Sequence, residues 1–171
     1  MMENCWYVFI LIVLCVTMGT AIAQPPAVQF VAPLSGDEEV PPVDTPATGF
    51  ASFQLNDNHE LDFTLIVANI EQVTQAHIHC GAAGVNGPVV AFLFEPDMAG
   101  VTVNGMLSEG TLTAADVLPR PNSPECPGGV ADFDHLIAQM RSGYIYVNVP
   151  TLNHFGGEIR GQIIGAGLQT R

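Results

Sequence analysis

The sequence predicts a mostly β domain, an antiparallel sandwich or barrel with Greek-key connections and one short helix. Three observations lead there. Gly49-Phe-Ala-Ser-Phe-Gln-Leu55 and Leu61-Asp-Phe-Thr-Leu-Ile-Val67 both alternate apolar with polar or small residues, the period of a half-buried strand. Short strand-like runs bounded by Gly, Pro, Asn and Asp recur along the chain and number seven or eight. Helical spacing of apolar residues occurs convincingly once, at Phe133, Leu136, Ile137 and Met140.

In chain order, Val28 to Leu34 reads as the first strand, and Ser35-Gly36 turns the chain. Asp37 to Val43 carries paired prolines that exclude a central strand and favour an extended edge. Asn56-Asp-Asn-His-Glu60 is a connection of hairpin length between the two alternating runs. Ala76 to His79 starts another strand that breaks at Cys80-Gly81. A turn through Gly84 and Asn86-Gly87 follows, and Pro88 to Phe94 resumes as a nearly continuous apolar strand. Val101 to Leu107 is a further strand, and Thr113 to Asp116 opens a short helical turn. Leu118 to Gly129 is a Pro-rich surface loop. Asp132 or Asp134 caps the helix and Ser142-Gly143 ends it. Tyr144 to Val149 and Glu158 to Ile164 close the domain.

The 171 residues, 48% of them hydrophobic, suffice for one domain with a proper core. Part of that apolar content belongs to a leader. Trp6 to Val16 is an unbroken hydrophobic run followed by Ala21-Ile-Ala23, which reads as a signal peptide over residues 1–23 with cleavage before Gln24. The alternative is an uncleaved anchor from Cys5 to Ala23. The domain proper spans residues 24–171, and no other segment is long and apolar enough to span a membrane. Cys5 and Cys15 fall in the leader, so an oxidising compartment leaves Cys80 and Cys126 to pair; two free buried thiols are the alternative. A secreted, extracellular protein is expected.

Seventeen acids face four arginines and no lysine, a net charge of −13, which becomes −12 once Glu3 leaves with the leader. Nucleic-acid binding is disfavoured, since it needs basic patches. Basic proteins, divalent cations or mineral surfaces are the compatible partners, although the acids are dispersed and Asp37-Glu-Glu39 is their densest cluster.

His77 and His79 lie two apart on a strand and project from one face, half of a site for copper or zinc. His154, His59, His135 and Glu158 are the candidates to complete it. The structural alternative is that the two histidines hydrogen-bond carbonyls or acids and pin the glycine loop. Glu158 and Arg160 also share a face and read as a structural polar pair, with Asp62 or Glu71 as other partners for Arg160. The chain contains no G-x-S-x-G, no H-E-x-x-H and no cysteine nucleophile with a base, so no enzyme activity is expected.

Six ordered blocks resemble the CHRD domain family: Leu34-Ser-Gly-Asp-Glu-Glu-Val-Pro-Pro-Val43, Thr48-Gly-Phe-Ala51, Ala76-His-Ile-His79, Gly84-Val-Asn-Gly-Pro-Val-Val90, Gly143-Tyr-Ile-Tyr-Val-Asn-Val149 and Gly157-Glu-Ile-Arg-Gly-Gln-Ile163. The resemblance covers Phe30 to Ile163 and implies an immunoglobulin-like barrel with limited similarity to copper/zinc superoxide dismutases, in which an H-x-H strand supplies copper ligands. It implies no general activity. In chordin the module belongs to an antagonist of bone morphogenetic proteins, but the cysteine-rich repeats that grip those ligands are missing here. The family's usual His-Thr after Tyr-Val-Asn-Val is Pro150-Thr151 in this chain, and a histidine stands instead at His154. Superoxide dismutation is not expected, because a bridging histidine and a second-metal ligand set cannot be identified. Three functions follow: first a non-catalytic module binding an extracellular protein or matrix component, and then, level with each other, a copper or zinc binder and an acidic component of a calcified shell or skeletal matrix.

Overall fold

A computed structural model describes residues 28–166; the expected leader and cleavage site, and Arg171, lie outside the described residues. Alternation builds the first part of the sheet. Strand β1 (Val28–Ser35) pairs antiparallel with β2 (Thr48–Leu55), and β2 with β3 (Leu61–Val73) through the Asn56–Glu60 turn, where Asn56 receives backbone N–H groups from Asn58 and Glu60. The register sets Phe53 against Phe30, with Ala51 beside Ala32, and all four are buried. Strand β3 runs on to Val73 and pairs with β6 (Val101–Leu112) across three register shifts. Asn69 and Gln72 take positive φ at these bulges, which bend the long strand as barrel closure requires.

The second part is the hairpin β4 (Ala76–Cys80) and β5 (Val89–Phe94), followed by β7 (Ile145–Val149), β8 (Ile159–Gln162) and the short β9 (Ile164–Gly165). The order β5-β4-β7-β8-β1-β2-β3-β6, with β9 also on β1, makes one nine-stranded antiparallel sheet. Its two ends, β5 and β6, approach each other, so the sheet curls into a nearly closed barrel. Strands β3, β6, β5 and β4 lie side by side in that circuit, a Greek-key arrangement.

Helix α1 (Phe133–Ser142) is capped by Asp132, whose carboxylate accepts the His135 N–H, and ends on Gly143 in the left-handed conformation. Its apolar stripe of Phe133, Leu136, Ile137 and Met140 joins the core. Cys80 and Cys126 form a disulfide with Cα atoms 5.4 Å apart, tying the Pro-rich loop to β4.

The segment after β1 corrects one expectation. It does not run as an extended edge: Gly36–Glu38 forms a single 3-10 turn and the chain then loops to Ala47 without a strand. This loop carries Glu39 into a buried position, and the reason lies in the layer it covers.

Candidate functional site

Strands β4, β7 and β8 are buried on both faces. Ile78, Val147 and Ile159 point into the barrel, and their neighbours His77, His79, Tyr146, Asn148 and Arg160 point outward under loops. Pairing sets two cross-strand rows, His77–Asn148–Arg160 and His79–Tyr146–Gln162. The outward face therefore holds a polar layer, roofed by the loops 36–47, 81–88 and 150–157.

Arg160 is the anchor of that layer and is 2% exposed. It donates to Asn86 Oδ1 at 2.9 Å and to the carbonyls of Ala82 at 3.1 Å and Val85 at 2.9 Å. Its guanidinium lies 3.4 Å from the centre of the Tyr146 ring, and His79 stacks on Tyr146 at 4.8 Å. The same two rings grip Gly87: its carbonyl accepts from His79 Nδ1 at 2.9 Å, and its N–H donates to the Tyr146 hydroxyl at 3.1 Å. A side chain at position 87 would run into the Cys80 carbonyl, so only glycine permits this approach. Three outward side chains thus pin the whole 81–88 loop.

The acids of the layer complete two further ties. Glu39 Oε1 accepts from Asn148 Nδ2 at 2.8 Å, and Asn148 also donates to the Gly156 carbonyl. Burial is the largest influence on Glu39 and raises its pKa from 4.5 to about 7, against the opposing pull of Arg160. Glu158 accepts from Thr45 Oγ1 at 2.7 Å and Thr151 Oγ1 at 2.8 Å. Glu158 and Arg160 therefore do not pair with each other. Glu158 stands just before β8 and clamps two loops, while the carboxylates acting on Arg160 are Glu39 and Glu38. Neither Asp62, which binds Asn56 and Thr111, nor Glu71 serves Arg160. Spacing along a strand could not reveal Glu39, 121 positions earlier in the chain; the acidic Asp37-Glu-Glu39 run was the only signal.

The candidate metal ligands separate into three places. His77 and His79 stay together on β4, with ring centres 5.3 Å apart. His77 is buried against Phe92 and its pKa falls to about 4, first through desolvation and then through His79. Burial also lowers the pKa of His79, so both rings are neutral. Nδ1 of His77 and Nε2 of His79 are sealed from solvent with no hydrogen-bond partner. His154 sits on the turn after β7, where its backbone bonds Thr151 and Gly157. His59 and His135 lie elsewhere, on the exposed carboxylates of Asp134 at 2.7 Å and Asp132 at 2.6 Å. Among the described residues no group of three or more His, Cys, Asp or Glu side chains is placed to hold a metal ion.

A curled antiparallel barrel whose outward polar layer is spent on holding its own loops defines a structural β module. The matching family model is that of the CHRD domain, over residues 30–163, and the chain belongs to that family. It is an extracellular type of domain and generally non-enzymatic. No curated protein and no solved structure gives a significant match. Among the described residues no helix is long and apolar enough to cross a membrane.

Proposed function

We propose that the protein is a secreted, non-catalytic module that binds an extracellular protein through the outer face of β2, β3 and β6. One observation carries this reading. Phe50 pairs with Ile66, and Ile66 with Met106, so three large apolar side chains form a row across neighbouring strands. They are 39%, 44% and 54% exposed. An apolar row facing water on a strand surface is a feature of contact sites, whereas single exposed apolar residues need no explanation.

Charge selects the partner. Asp62 and Glu109 project from the same outer face of β3 and β6, and Arg120, Arg141 and Arg160 all lie off these strands. The complementary surface is an apolar patch rimmed by Lys or Arg, on a protein or a matrix component. The test is a binding screen of the secreted chain against recombinant extracellular proteins. Basic binders that weaken with salt and are lost in Ile66→Arg support the reading. Binding that persists in that variant, an absence of binders above background, or a self-association that the variant abolishes would each overturn it.

A further inference from the structure

Two buried imidazole nitrogens remain without a partner once the loops are tied down. His79 donates from Nδ1 to the Gly87 carbonyl, which can only accept, so its proton is on Nδ1 and its lone pair is on Nε2. That nitrogen is sealed from solvent with no donor to meet it; Nδ1 of His77 is likewise sealed and unpartnered, and it is a ligand in the tautomer whose proton sits on Nε2. His77 is only 6% exposed. Burying a polar nitrogen without a partner is costly, so two of them on adjacent outward positions of one strand mark a place suited to a bound ion. An imidazole held by a carbonyl through one nitrogen, with the other nitrogen bare, is the orientation that metal-binding histidines take.

The geometry points to a single copper(I) ion held by His77 and His79 on the outer face of β4. Ring separation supports a shared ion. An ion about 2.0 Å from each nitrogen lies about 3 Å from each ring centre, so a linear unit would set the rings about 6 Å apart. The observed 5.3 Å lies within the reach of one shared ion.

The donor set selects the metal. Structural zinc takes four protein ligands, and no third His, Cys, Asp or Glu joins this pair among the described residues. Copper in its monovalent d10 state is satisfied by two or three ligands. Two neutral imidazoles bring no negative charge, and the Arg160 guanidinium stands on the Tyr146 ring against which His79 stacks. A fixed cation so near penalises a divalent ion more than a monovalent one. The site is independent of the apolar row on β2, β3 and β6, so either assignment can fail alone.

The test is anaerobic titration of the secreted chain, purified without chelators or a His-tag, with copper(I) against a chromogenic copper(I) chelator. One copper per chain is expected, with X-ray absorption showing two nitrogen neighbours and at most one further light atom. His77→Leu keeps an apolar side chain beside Phe92 and is expected to weaken copper(I) binding at least tenfold while circular dichroism stays unchanged. His79→Gln, read the same way, checks the second ligand. A chain that takes up no copper(I), one whose uptake survives both substitutions, or one that prefers zinc at equal stoichiometry would overturn the proposal.

Discussion

At the scale of single residues, the polar layer concentrates its energetics in Glu39 and Arg160. A carboxyl with a pKa of 4.5 unfolded and about 7 folded binds more protons in the native state between those values. Its contribution to stability is full below about pH 4.5 and is lost as pH rises through about 7. His77 acts with the opposite sign: its pKa falls from 6.5 to about 4, so its contribution is present above 6.5 and is lost as pH falls through 4. In the metal-free protein the two slopes oppose each other between pH 4.5 and 6.5. Glu39→Gln is expected to unmask a stability that rises across this window by about 2–3 kcal/mol, read as urea midpoints against pH. A profile identical to that of the parent would show that Glu39 does not carry the shift. Arg160→Lys keeps the charge but not the planar fork that reaches Asn86, Ala82 and Val85. A loss of about 3 kcal/mol is expected, with protease sensitivity appearing in the 81–88 loop. The sequence marked Arg160 as structural, but its true partners are loop carbonyls, an amide and a ring, which no spacing rule names.

At the scale of elements, most of the architecture was legible. The β2–β3 hairpin, the strand beginning at Ala76, an Asp cap on α1 and its stop at Gly143 follow from local chemistry, and the structure selects Asp132 over Asp134 as the cap. The Cys80–Cys126 bridge followed from compartment and count. Strand lengths were less legible: β3 and β6 run well past their alternating stretches, because bulges at Asn69 and Gln72 reset the register and hide the period. The Asp37 to Val43 segment was misjudged for a different reason. Its role is to cover polar side chains from distant strands, and a covering loop has no periodicity of its own. The bridge closes a span of 46 residues, and its replacement by a Cys80→Ala/Cys126→Ala pair is expected to cost about 4 kcal/mol in the chain-entropy account. Denaturant unfolding of that variant checks this; an unchanged midpoint would mean that the loop is held by other contacts.

At the scale of the whole molecule, a net charge of −13 and an outward apolar row act together. Ile66→Arg changes an exposed position, so the folded stability is expected to stay within about 0.5 kcal/mol while partner binding is lost. A variant that unfolds instead would assign Ile66 to the scaffold. The sequence by itself determined the mostly β class, the helix and its ends, the cysteine pairing and the family, because each rests on local periodicity, caps, counts or ordered blocks. Which residues meet was decided only by the tertiary structure. Strand pairing and the placement of the loops bring Glu39 to Asn148, Arg160 to the 81–88 loop and Phe50 to Met106 through Ile66, and they separate Glu158 from Arg160 and His154 from His77 and His79. Contacts of that kind depend on strand order and register, and these are set by packing of the closed sheet as a whole rather than by any stretch of chain.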